Sequence, residues 1–145
     1  MRNENLFSER LAELMAEKGV NTVTLGAAIG VSAETVRRWR NGQRSVLLPQ
    51  LEKLADYFEC SLDFLAGRTD AVWEGPSRKM PPFYDRLRSV MSEKGVSRYR
   101  LVRDLPVYDS YFSNWKRGES PNLLTLILLA DYLGVTIDRL VGRAE

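Results

Sequence analysis

The stretch VSAETVRRWRNGQR, Val31 to Arg44, places Arg37, Arg38, Arg40 and Arg44 within eight residues, with Trp39 among them and Gly42 after three of them. Guanidinium groups keep their charge at physiological pH and present a rigid fork of N–H donors, so the chemistry of such a cluster is the pairing of anions and hydrogen-bond acceptors. A plainer reading stands beside it. Arginine is a good helix former, and Glu34 with Arg38, four residues apart, makes a surface pair worth a few tenths of a kcal/mol. The rest of the chain offers little other chemistry. It has no histidine, and its one cysteine, Cys60, cannot form an internal disulfide, so the usual zinc and imidazole chemistries are out of reach. No motif or cleft-forming insertion argues for acid–base work by Asp/Glu pairs. We expect no metal, no cofactor and no enzymatic activity.

The elements that position the cluster come next. With 145 residues, 44% hydrophobic and 28% charged, the chain has room for one domain or two small ones. No apolar run approaches the roughly 18 residues of a membrane span, and MRNENLFSER lacks the apolar core of a signal peptide. A cytoplasmic location without membrane attachment is therefore expected. Net charge is +2, but residues 76–145 hold 12 Lys/Arg against 8 Asp/Glu, whereas residues 1–75 hold 9 against 11. Local clustering says more than the total.

The chain is written twice. LMAEKGV (Leu14 to Val20) returns as VMSEKGV (Val90 to Val96) 76 residues later, with Phe7, Leu11, Leu25, Trp39 and Gly42 matched by Phe83, Leu87, Leu101, Trp115 and Gly118. One residue is then lost in a loop, and LADYFECSLDFLAGR (Leu54 to Arg68) meets LADYLGVTIDRLVGR (Leu129 to Arg143) at a spacing of 75. Between the copies, TDAVWEGPSRKMPP contains a Gly-Pro step and a Pro-Pro pair and reads as a linker. The expected organisation is a domain over 1–68, a linker over 69–82 and a second domain over 83–145. Trp73 is expected to pack against a domain, and Arg78 and Lys79 either follow phosphates or are simply solvated.

Each copy reads as five short helices. In the first, Leu6, Leu11, Leu14 and Met15 recur at helical spacing up to Gly19. Thr22 or Thr24 caps a second helix that stops at Gly30, and Ser32 caps a third in which Val36 and Trp39 face inward and leave the arginines outside. A fourth helix runs from about Leu47, and Ser61 opens a short fifth. With no convincing strand alternation, the fold is all-α, a compact bundle in each copy.

TVTLGAAIGVSAETVRRWRNG, Thr22 to Gly42, resembles the helix-turn-helix of the lambda-repressor, Cro and XRE superfamily. Small Gly26 sits inside the first helix, Gly30 at the turn, Val36 within the second helix, and Trp39 precedes Asn-Gly. The likeness covers nearly all of both copies and implies two tandem five-helix DNA-binding domains. In that family the helix opened by Ser32 enters the major groove of double-stranded DNA. The resemblance thus places Ala33, Glu34 and Arg38 at base edges, with Arg37 near the groove wall. Arg38 would pair with guanine, Glu34 would accept from cytosine and Ala33 would touch a thymine methyl. Thr22, Ser32, Thr35, Arg40, Asn41, Gln43 and Arg44 fall where the family contacts phosphate, and there counterion release adds affinity.

The second copy departs from the pattern. In RYRLVRDLPVYDSYFSNWKRG, Arg98 to Gly118, Val102 replaces the small residue and Pro106 the turn glycine. Proline cannot adopt a left-handed turn and biases Leu105 away from helix, so the turn must be built differently. Asp109, Ser110 and Asn114 take the base-facing places. Arg98, Tyr108, Tyr111, Lys116 and Arg117 take the phosphate-facing ones, and Arg100 and Arg103 add charge. Alternatively, Tyr99, Tyr108 and Tyr111 form an aromatic surface for another protein chain.

The family places two reading helices about 34 Å apart, one turn of DNA, and a linker of roughly 14 residues reaches about 45–50 Å. One chain could cover two unlike half-sites. The resemblance implies a cytoplasmic, nucleoid-associated transcriptional regulator, with repression the expected sense. An antitoxin-like or adaptor module, its second copy used for homodimerisation or a small protein partner, is the alternative. Cys60, matched by Val135, is expected to be a small buried hydrophobe, and Trp39 and Trp115 to be structural. Leu124, Ile127 and Leu128, in the very apolar LLTLILLADYL, serve either a contact surface or the core.

Overall fold

The computed structural model of the chain describes residues 2–72 and 77–144, with side chains from residue 6 onward. Trp73 and the Gly75-Pro76 step lie outside the described residues. Among those described there are ten helices and no strand. The chain forms two compact units, one of residues 1–74 with 122–124 and one of residues 75–121 with 125–145.

In the first unit, α1 (Arg2–Lys18), α2 (Thr22–Ile29), α3 (Ala33–Arg40), α4 (Leu48–Phe58) and α5 (Leu62–Leu65) follow one another. Phe7, Leu11 and Met15 lie four residues apart along one face of α1 and are buried, whereas Leu6 is 40% exposed. The inward stripe is thus Phe7–Leu11–Met15, with Leu14 half-buried at its edge. The cap of α2 also differs from expectation. Asn21 precedes Thr22, and its side chain accepts from the Thr24 amide at 2.8 Å, because a short amide side chain one residue before the helix reaches an orphan N–H of the first turn. Ser32 caps α3 and Ser61 caps α5 as the sequence predicts.

The turn between α2 and α3 is held by two glycines. Gly30 stands at φ +82°, where a side chain would be strained. A Cβ on Gly26 would meet the Val31 carbonyl oxygen at 2.6 Å, so the small residue lets the turn fold back onto α2. Val36 and Trp39 then close α3 onto the core at 0% and 2% exposure.

The second unit repeats the order in α6 (Phe83–Lys94), α7 (Arg98–Asp104), α8 (Asp109–Lys116), α9 (Leu123–Leu133) and α10 (Ile137–Val141). Helix α7 ends one residue earlier than α2 would in register. Leu105 is extended at φ −119°, ψ 155°, as expected before Pro106, and the Val107 amide donates to the Leu105 carbonyl at 2.8 Å. The rebuilt turn leaves Val102 half-buried without the close approach that demands Gly26. Ile127 is buried, while Leu124 and Leu128 are half-buried.

The two ends of the connecting segment are fastened. Arg10 donates to the Thr69 carbonyl at 3.4 Å and to Asp70 at 3.2 Å in the first unit. The Arg78 amide donates to the Arg143 carbonyl at 3.0 Å in the second.

One backbone contrast yields a prediction. Glu59 closes α4 at φ +56°, alone among non-glycine residues described, and its counterpart closing α9 is Gly134 at φ +70°. Glu59→Gly is expected to stabilise the first unit by about 0.5–1 kcal/mol, read as a higher urea midpoint. An unchanged or lower midpoint would show that the left-handed position carries no strain.

Candidate nucleic-acid interface

Helix α3 presents its charge because its other face is committed to the core. Its Ser32 cap accepts from the Thr35 amide at 3.1 Å, and the two hydroxyls lie 3.0 Å apart, so both are engaged in fixing the first turn. Ala33 and Thr35 are half-buried, whereas Glu34, Arg37, Arg38, Arg40, Asn41, Gln43 and Arg44 are exposed. Thr22 is half-buried at the start of α2.

The exposed residues are of two kinds. Glu34 binds both neighbouring arginines: Arg37 donates from Nε to Oε1 at 3.0 Å and from Nη2 to Oε2, and Arg38 donates from Nε to Oε2 at 2.9 Å. The hydrogen bond from Arg37, and then that from Arg38, holds the Glu34 carboxyl below the usual carboxylate range. Arg40 and Arg44 are exposed and meet no carboxylate among the described residues.

In the second unit α8 begins at Asp109 with Tyr108 before it, and Tyr108 makes no side-chain cap. Tyr108 is 68% exposed and meets Tyr111 edge-on at 5.5 Å between ring centroids. Tyr111 in turn leans on Trp115. The Arg103 guanidinium stands 5.9 Å over the Tyr99 ring, and Tyr99 is 73% exposed. Phe112 and Trp115 are buried, Ser110, Lys116 and Arg117 are exposed, and Asn114, half-buried, accepts from Arg117.

Much of the charge expected on α7 is locally compensated. Arg98 donates to the Asp109 carboxylate at 2.8 Å and to its carbonyl at 2.9 Å. Arg103 pairs with Asp104 at 2.8 Å, and the Tyr132 hydroxyl donates to the same carboxylate at 2.6 Å. These bonds, the Arg103 one first, bring the Asp104 carboxyl down to about 2. Arg100 donates to the Gly95 carbonyl at 3.2 Å.

The same arrangement thus stands twice in one chain: a capped or uncapped short helix, pinned by a buried tryptophan, offering its polar face and a basic exit to the outside. Residues 10–69 and 86–143 both match the Cro/C1-type HTH DNA-binding domain. The chain belongs to that family. No curated protein and no solved structure matches it.

For a Cro/C1-type domain, α3 and α8 are the second helices of the helix-turn-helix pairs, with α2 and α7 the first. Among the described residues no helix is long and apolar enough to cross a membrane, and no group of His, Cys, Asp and Glu is placed to hold a metal ion. Both Cro/C1-type domains also contain a feature that sequence reading missed. Asp63 binds Arg68 in the first, and Asp138 binds Arg143 at 3.1 Å in the second, where Arg143 is only 2% exposed. The repeated D-x-x-x-x-R spacing was its one visible signal, and the pair closes the last helix of each unit.

Proposed function

We propose that the protein is a sequence-specific transcriptional regulator, acting as a repressor, that reads double-stranded DNA with α3 and, less strongly, with α8. The observation that carries this is the outward face of α3 and its exit: Glu34, Arg37, Arg38 and Arg40 stand in the open on a helix fixed by Val36 and Trp39, and Arg44 is exposed in the loop that follows. Ala33, Glu34, Arg37 and Arg38 face bases, and Arg40, Asn41, Gln43 and Arg44 face phosphate, with Thr22, Ser32 and Thr35 beside them. In the second domain, taken as 83–145 beyond a 69–82 linker, Asp109, Ser110 and Asn114 take the base-facing role. Arg98, Tyr108, Tyr111, Lys116 and Arg117 take the backbone role. Since the two helices differ, the bound site is asymmetric unless two chains pair, and the protein acts at the nucleoid.

Selection of bound sequences from a random duplex pool with the purified chain, at moderate salt, tests this. Two different motifs at fixed spacing are expected. A single short motif would remove α8 from the reading surface, and no enrichment by the folded protein would refute DNA reading altogether.

A second reading rests on a groove in the second unit of about 500 Å³ lined by Tyr84, Arg88, Met91, Arg98, Phe112 and Lys116. The first copy has Ser8, Ala12, Met15, Thr22, Val36 and Arg40 at these positions, so the aromatic rings and two of the cations belong to the second copy alone. An apolar floor under a basic rim suits an acidic protein segment better than a bare phosphate. On this reading the second domain holds a small partner or a second chain, as an antitoxin or adaptor does. A stoichiometric partner that stays bound to wild type but is lost in Arg88→Glu would favour it.

A further inference from the structure

The arginines of α3 and of the loop after it divide by what already holds them. Arg40 and Arg44 are exposed without a carboxylate partner among the described residues, and any phosphate can attract them. Arg37 and Arg38 are half exposed, at 51% and 50% of their side chains, yet both forks are turned onto Glu34, itself 48% exposed. The spacing permits this. Residues three and four apart lie on one helix face, and Glu34 at the first turn is also favoured there by the helix dipole.

We infer that Glu34 is a specificity-determining residue that acts as a resident competitor for phosphate, holding Arg37 and Arg38 off the DNA backbone until a matching base pair replaces them as its partner. The inference rests on the DNA reading above. A backbone phosphate offers Arg37 and Arg38 only what the Glu34 carboxylate already gives, a charge-assisted bond to an anionic oxygen, so the exchange gains little. It also brings the carboxylate close to a like charge. A base pair that presents an amino donor to Glu34 changes the balance. The carboxylate is then satisfied by the base, and the two guanidinium groups turn to guanine acceptors or to phosphate without leaving an anion unpaired. A base pair presenting an acceptor in that place does the reverse. Glu34 therefore lowers affinity for wrong sequences more than for the right one, while Arg40 and Arg44 supply attraction that is blind to sequence.

The second unit contains the same device from other positions. Arg98 is held by the carboxylate and the carbonyl of Asp109, at 2.8 and 2.9 Å, in the first turn of α8. Asp109 corresponds to Ala33 and Arg98 to Thr22, so this pairing is not a copy of the first one.

The test compares full-length wild type with Glu34→Gln, and with Glu34→Ala as a second variant, on a random-sequence 30-base-pair duplex and in the random-pool selection. Each variant's fold is checked by its helical signal and melting. Removing the carboxylate is expected to raise affinity for the random duplex about fivefold, the scale of two exposed ion pairs. The slope of log K against log salt should steepen by about 1–2 as two arginines reach phosphate. The selected motif should lose its preference at one base pair. A wild type that selects a motif left unchanged by both variants, with random-duplex affinity and salt slope also unchanged, overturns the inference alone. A folded wild type that binds no duplex overturns the DNA reading and the inference with it.

Discussion

Asp138→Ala is expected to destabilise the second unit by about 3–5 kcal/mol, the cost of leaving a buried guanidinium without its anion. Arg143 is 2% exposed at its side chain and Asp138 is 6%, so solvent cannot take over the lost bond. The Asp138 carbonyl also receives the Arg143 and Ala144 amides at 2.9 and 3.2 Å, which ties the chain end back onto α10. Those backbone bonds survive the substitution, so the loss measured in urea unfolding is that of the Asp138 side chain. Removing both partners, as Asp138→Ala with Arg143→Met, should recover most of it, because a matched apolar replacement leaves no buried charge. The corresponding Asp63→Ala should cost less, about 1–3 kcal/mol, since Arg68 keeps 21% of its side chain in solvent. Equal costs in the two units would show that burial of the arginine does not set the loss.

The second large effect concerns binding. Replacing Arg40 and Arg44 together by alanine is expected to weaken binding to any duplex, selected or random, by about tenfold per residue, and to flatten the salt slope by about 2. Both residues lie outside the core, so melting should change little. The selected motif should stay the same, because sequence-blind contacts fix position and not choice. Binding curves at several salt concentrations check this. A loss confined to the selected sequence would place these two arginines on base edges.

Much of this fold was legible in the sequence, since helices announce themselves locally. Leu11 and Met15 follow the helical period, with Phe7 and not Leu6 completing their stripe, Ser32 and Ser61 cap where a short hydroxyl precedes an apolar run, and Pro106 dictates the extended Leu105. The placement of the α3 arginines outside the core followed from Val36 and Trp39 lying three apart. What stayed hidden was contact between elements. Arg98 meets Asp109 across 11 residues, and Asp104 meets Tyr132 across 28, and no local spacing signals either. Even within α3, the i,i+4 pair of Glu34 and Arg38 was visible, but the sharing of one carboxylate by two arginines depends on rotamers. The Asn21 cap was missed for a simpler reason: three competing residues stand within four positions, and only backbone geometry selects among them.

Cys60, 1% exposed beneath the left-handed close of α4, turns a duplicated chain into one whose halves can be observed apart. It is the only thiol in the sequence, and its counterpart is Val135. A thiol reagent must therefore wait for the first unit to open, and its rate of reaction is a clock for that opening alone. Helical signal and the fluorescence of Trp39 and Trp115, buried at matching positions, report on both copies at once; alkylation of one sulfur reports on the first alone.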